Sequence, residues 1–320
     1  MRLGVFMALF GNQELDTALD YVKKVGLDTV EVGTGNYPGE KHCKPSELLG
    51  NKEAQKAFLE KFSSRGISIS ALSCHANPVH PDEEIGKAHA KIQRETIQLA
   101  SELGINRINT FSGCPGGAAG DKSPNWVTCP WPDDFLHILD YQWNEVLFPF
   151  WKAEAAFARD LGVRIGLEMH PGFSVYNPET LLRLRAESGD NIGANFDPSH
   201  LWWQGIDPLA AVRELGEAIF HVHAKDVNID PINTTKNGVL DTKHYGREIE
   251  RSWIFRSVGY GHDELFWRNF VSTLRMVGYD DAISIEHEDS LMSVNEGLTK
   301  AIEVLRRVLL TEERGEMWWA

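Results

Sequence analysis

VRIGLEMHPG, residues 163–172, begins as a buried strand and ends on a different chemistry. Val163, Ile165 and Leu167 are apolar, with Arg164 and Gly166 between them, and the run then breaks into Glu168, Met169, His170, Pro171 and Gly172. Successive side chains of a strand alternate faces, so Glu168 and His170 point the same way. A strand running out into solvent explains one such pair. An acid and an imidazole aimed together from the end of an apolar strand are also what a binding site requires. The ends of the other strands decide between these readings.

Seven further strand-like runs precede and follow this one, at Leu3–Ala8, Thr29–Val32, Ile67–Ser73, Arg107–Phe111, Ile192–Asp197, Ile219–His223 and Ala282–Glu286. Between them lie amphipathic stretches. In ELDTALDYVKKVG the apolar residues Leu15, Ala18, Leu19, Val22 and Val25 follow the spacing of one helical face. NKEAQKAFLEKFSSRG and IGKAHAKIQRETIQLASELG do the same, and each closes on a glycine. Further helices are expected at 143–161, 178–187, 207–216, 263–277 and 291–310. Strict alternation of strand and helix means parallel strands joined by crossover helices. Eight such units without an internal linker, and without a G-x-G-x-x-G turn after an early strand, predict a single (β/α)8 TIM barrel over residues 1–310. Residues 311–320 form a tail whose MWW at 317–319 is expected to dock on a neighbouring subunit. Long connections follow strand four (112–134) and strand seven (227–264), on the barrel face where sites are built.

Composition removes several function classes. The formal net charge of −14, from 46 acidic and 32 basic residues without a basic run, disfavours a phosphate backbone as partner. Cys43, Cys74, Cys114 and Cys129 show no CxxC spacing, which predicts reduced thiols and no zinc ribbon. The opening MRLGVFMALFGNQE is too short an apolar run for a membrane span, and a cytoplasmic location is expected.

The strand ends gather chemistry. They carry Glu31, His75, Glu168 with His170, Asp197 with His200, His221 with His223, and Glu286 with Glu288. Burying this many carboxylates and imidazoles at one barrel mouth is costly unless a cation compensates. Carboxylate oxygens with one imidazole and no thiolate suit one divalent ion, Mn²⁺ first, with Mg²⁺, Co²⁺ or Zn²⁺ as alternatives.

GLEMHP, NFDPSH, HVHAKD and SIEHED, in this order and at these spacings, resemble the xylose isomerase-like TIM-barrel superfamily of sugar isomerases, ketose 3-epimerases, inosose dehydratases and related enzymes. The resemblance spans nearly the whole chain. It implies a metal held by Glu168, Asp197, His223 and Glu286, and a substrate contact from His200, three residues after Asp197. It also implies a carbohydrate substrate whose carbon-bound proton is moved through an enediolate by Glu168 and Glu286. His75, Lys225, Asp226 and Trp203 are further candidate substrate contacts, with a surface ion pair as the alternative for Lys225 and Asp226. Isomerisation or epimerisation is the leading expectation. Two departures weigh against a simple ketose 3-epimerase: Ser174 stands where that group carries a second Glu, and Ile229 where it carries an Arg. In their place His170 sits beside a metal ligand, either as a base in its own right or as support for Glu168. A base there suits β-elimination on a keto-inositol or a 3-keto-glycoside, C-glycosides included, and that is the alternative reaction. An endonuclease of this superfamily needs histidines this chain lacks after strands four and seven, and a non-catalytic sugar binder is the remaining option. Trp126, Trp131, Trp202, Trp203 and Trp253 fall in or beside the proposed site loops, where flat faces suit sugar rings or aglycones. The protein is expected to form a homo-oligomer, with a small partner subunit as a further option, and to bind neither nucleic acid nor membrane.

Overall fold

The computed structural model describes all of residues 1–320. Eight parallel strands close into a barrel. In chain order they are β1 (Arg2–Phe6), β2 (Thr29–Gly33), β3 (Ser68–Ser73), β4 (Arg107–Thr110), β5 (Arg164–Glu168), β6 (Ile192–Phe196), β7 (Ile219–Ala224) and, after the two-stranded insertion of β8 (Asp226–Ile229) and β9 (Trp253–Arg256), β10 (Ala282–Ile285). β1 pairs with both β2 and β10, which completes the ring. All eight barrel strands lie where the alternation placed them, with ends that differ by one or two residues. No helix is long and apolar enough to cross a membrane.

The strands are buried on both faces because helices cover the outside, so they read as near-continuous apolar runs. The helix before β5 begins earlier than expected, at Asp134. It runs through a wide turn at Tyr141–Leu147 into Phe148–Asp160, and its Trp151 is fully buried. The connection after β7 is the larger correction. Instead of an irregular loop it holds the antiparallel β8–β9 ribbon, with Ile229 opposite Trp253, and a short helix at Pro231–Asn237. This ribbon stands over the open end of the barrel.

The closed end is pinned by charge. Arg107 reaches the Phe220 carbonyl and the Asp281 carboxylate, and Arg2 Nη2 lies 2.6 Å from the same carboxylate. Burial opposes ionisation of Asp281, but Arg107 and Arg2 hold its pKa down at about 2. Higher in the barrel, Gly166 leaves a space that a side chain would fill: a Cβ there would stand 2.7 Å from Asn109 Oδ1. That vacancy admits Asn109 to the barrel axis, where it supports the site.

Candidate active site

Parallel strands deliver their C-terminal ends to one mouth. Glu168 is the last residue of β5, Asp197 follows β6, His223 lies near the end of β7, and Glu286 follows β10. One ligand atom from each of these four lies within 4.8 Å of the others. His223 Nδ1 is 2.9 Å from Glu286 Oε2 and 3.4 Å from Glu168 Oε2. Glu168 also meets His75 Nε2 at 3.1 Å and His200 Nε2 at 3.2 Å, and His200 Nε2 is 3.3 Å from Asp197 Oδ2.

These groups are buried, yet key atoms lack hydrogen-bond partners. Asp197 Oδ1 accepts the Ser199 amide at 2.8 Å, while Asp197 Oδ2 and Glu286 Oε2 accept none. Burial and the nearby acids raise the Asp197 carboxyl, against the pull of His200 and Lys225. Burial also opposes ionisation of Glu168 and Glu286. The neighbouring imidazoles nonetheless hold Glu168 well below the carboxylate range, and Lys225 and His223 hold Glu286 at about 2. Three carboxylates converging with one imidazole, with free oxygens turned to a common point, form an oxygen-rich, thiolate-free donor set that fits a divalent cation.

A second layer fixes His223. Its Nε2 lies 2.7 Å from Glu31 Oε2, so the proton belongs on Nε2 and Nδ1 faces the acids. Glu31 is fully buried in β2 and also accepts from Asn109 Nδ2 at 2.8 Å and from Ser73 Oγ. Asn195, opposite Glu168 in the β5–β6 register, donates to Glu168 Oε2 at 3.2 Å and accepts from His221 Nδ1 at 2.9 Å. Burial lowers His221 to about 3, which keeps it neutral. Glu31, His221 and His223 could themselves surround an ion, but hydrogen bonds already satisfy them, and they act as the scaffold of the site.

The structure sorts the candidate substrate contacts. His75, His200 and Lys225 all reach the acid cluster. Lys225 is buried, with Nζ 2.6 Å from Glu288, 3.4 Å from Glu286 and 3.7 Å from Asp197, so it is no surface ion pair. Asp226 does not belong with them. One carboxylate oxygen accepts the amides of Gly259, Gly261 and His262 at 3.0–3.1 Å, and the other lies 2.8 Å from His262 Nδ1. With Lys225 facing the axis, its neighbour faces outward and anchors the return of the insertion. Trp203 stands at the edge of the site, stacked on Trp253 with centroids 4.6 Å apart and an interplanar angle of 9°. His170 lies at the mouth with its ring centroid 4.0 Å from that of His200. Its Nδ1 is 2.6 Å from the Pro171 carbonyl, which places the ring proton on Nδ1 and leaves Nε2 as an acceptor. Burial, with His200 beside it, pushes His170 down to about 3.

Sequence reasoning named Glu31 and Glu288 as strand ends but assigned them no role. A lone acid inside the apolar TVEVG was a usable signal for Glu31. Phe6, stacked on His223 at 5.6 Å, and Phe255, 4.3 Å beneath the Lys225 ammonium, gave none, because their contacts join distant parts of the chain.

A family model described as xylose isomerase-like TIM barrel matches residues 19–308. The chain belongs to this family. Its relatives include the uncharacterized protein YfiH of Bacillus subtilis, 40% identical over 97% of this chain and 99% of the relative. An inosose dehydratase of Geobacillus thermodenitrificans is 24% identical over 75% of this chain and 76% of its own. Among solved structures, the IOLI protein with a bound zinc atom superposes with a TM-score of 0.65 at 19% identity, covering 97% of this chain and 99% of that one. A D-tagatose 3-epimerase-like protein does so with a TM-score of 0.62 at 22% identity, covering 96% and 99%. Xylose isomerase-like barrels therefore supply both the fold and the expectation of a sugar-processing enzyme.

Proposed function

We propose that the protein is a divalent-metal-dependent lyase that removes water, or an equivalent leaving group, from the carbon beta to the ketone of a cyclic keto-polyol. The observation that carries this reading is the placement of His170, whose Nδ1 faces the Pro171 carbonyl and whose Nε2 is free at the mouth of the acid cluster. Inosose dehydratases among the sequence relatives support the same substrate class. A cation held by Glu168, Asp197, His223 and Glu286 would supply charge stabilisation at the substrate's carbonyl oxygen.

The chain's own residues divide the remaining work. His170 Nε2 accepts the proton from the carbon next to the ketone. Burial opposes the charge of Lys225, yet the surrounding carboxylates keep its pKa well above the ordinary range, so it remains an ammonium that can hold the departing oxygen. His75 and His200, both buried, orient ring hydroxyls. Elimination balances when the C–H pair becomes the new double bond, the C–O bond breaks, and the proton His170 took from carbon is passed to the departing hydroxide, which leaves as water.

Epimerisation or isomerisation by Glu168 and Glu286 is the second reading, favoured because both acids face the same cavity. Against it, Ser174 is buried under the strand-four loop, with its amide bonded to the Gly113 carbonyl, and Ile229 is committed to the β8–β9 ribbon. Incubation of the Mn²⁺-loaded protein with an inosose in deuterated water, followed by mass spectrometry, separates the two. Loss of water supports the lyase, whereas solvent deuterium in a product otherwise unchanged in composition would establish the second reading. His170→Asn is expected to lower turnover about 100-fold or more while leaving metal affinity intact; full activity of this variant would refute the role of His170.

A further inference from the structure

The cavity continues past His170. The inner chamber, bounded by Glu168, Glu286, His75, Phe111 and Tyr37, has a volume of about 230 Å³. That is below the ~300–1,000 Å³ typical of whole ligand sites. A second chamber of about 350 Å³, between His170, Phe255 and Glu288, shares Glu288 with it, and a third of about 320 Å³, beyond His170 and His200, shares His170 and Tyr245 with the second. A small cyclic polyol at the acid cluster reaches the outermost chamber only at its near wall, His170 and His200, so the far side, with Trp126, Leu240, Tyr245 and Trp253, has no task in the reaction derived above.

Its walls are aromatic and braced. Trp203 and Trp253 form the flat stack, and Tyr245 stands across Trp253 at 68°. Behind them the buried Arg251 guanidinium lies 4.4 Å from the Tyr245 ring and 4.5 Å from that of Trp253, and its Nε donates to the Trp253 carbonyl at 3.1 Å. Trp126, from the strand-four loop, and Leu240 extend the apolar lining, with Thr128 and Thr242 between them. The one acid there, Asp241, is already engaged by the Ser252 amide at 2.7 Å and Lys243 Nζ at 2.8 Å. A planar apolar ring finds stacking faces.

From this geometry we infer that the outer chamber is a subsite for a planar aromatic substituent. The preferred substrates are then conjugates of a polyol with an aromatic ring. This rests on the lyase reading only for what occupies the inner chamber.

The test is equilibrium binding to the Mn²⁺-loaded full chain, by calorimetry and tryptophan fluorescence, with phenyl glucoside, methyl glucoside and free 4-nitrophenol as probes. The phenyl glucoside is expected to bind about tenfold tighter than the methyl glucoside. Trp126→Ala and Leu240→Ala should each remove most of that advantage and leave Mn²⁺ affinity unchanged. If neither glucoside binds, 4-nitrophenol binding that both substitutions abolish supports the subsite equally. Equal affinity of the two glucosides overturns it, as does an advantage that survives both substitutions, or failure of all three probes. Turnover does not enter these measurements. A protein that shows the advantage but dehydrates no inosose refutes the lyase and leaves the subsite standing, and the reverse pattern refutes the subsite alone.

Discussion

Glu31 offers the sharpest perturbation of the metal site, because it touches His223 and none of the other three proposed ligands. Both of its oxygens face donors: His223 Nε2 on one side, Asn109 Nδ2 and Ser73 Oγ on the other. In Glu31→Gln one oxygen becomes an amide donor, so whichever way the amide turns, it opposes at least one of these donors. If it opposes His223, the ring is driven to carry its proton on Nδ1, the atom that faces the acids. If it opposes Asn109, the scaffold loosens and the charge that polarises His223 is lost in either case. Outer partners of a metal-bound histidine are worth about 10- to 100-fold in affinity, or about 1.4–2.7 kcal/mol. A buried donor left unmatched costs a further ~1–3 kcal/mol of fold stability. Isothermal titration of the metal-free protein with Mn²⁺ or Zn²⁺ should therefore show a 10- to 100-fold weaker dissociation constant for Glu31→Gln, and a larger loss for Glu31→Leu, which removes every acceptor. Melting curves of the metal-free variants report the stability term separately. Unchanged metal affinity in a folded Glu31→Gln protein would refute the assignment of Glu31 as the residue that sets the proton on His223.

Other outcomes follow from the same structure. Gly166→Ala places a methyl group 2.7 Å from Asn109 Oδ1 and should weaken metal affinity in the same sense as Glu31→Gln, though less, because Asn109 acts through Glu31; wild-type affinity would show that Asn109 is not needed. Asp281 contributes pH-dependent stability. Its folded-state pKa, about 2 against an ordinary 3.8, is depressed, so its stabilisation is present above the ordinary value and disappears as pH falls from 3.8 towards 2. Discounted for partial solvent exposure this is about 1 kcal/mol, and Asp281→Asn should be less stable near neutrality with a shallower loss in that acid window; identical acid denaturation profiles would count against the pair with Arg107. We further propose that residues 311–320, whose Trp318 is 87% exposed and Trp319 69% exposed, dock on a second copy of the chain. Their deletion should then shift the oligomer in sedimentation velocity without changing the melting curve, and an unchanged distribution would remove that role.

The sequence alone determined the barrel, since eight apolar runs alternating with amphipathic stretches can close in few other ways, and it determined that the strand ends would meet. Glu168, Asp197, His223 and Glu286 were legible as a group because a parallel barrel converts position at a strand's C-terminal end into position in space. The tertiary structure decided what each neighbour of those residues does. Lys225 and Asp226 are adjacent in the chain, but strand alternation sends the first to the acid cluster and the second to the amides of Gly259, Gly261 and His262. Glu31 gained a role only when β2 and β7 faced each other across the axis. The aromatic wall depends on an insertion whose ribbon pairing has no strong local pattern, and it brings Trp253 onto Trp203 across fifty residues of chain. Local periodicity records which face a residue takes. It does not record the partner on the opposite face, and in this protein those partners, Glu31 beneath His223 and Trp253 against Trp203, set both the charge and the shape of the site.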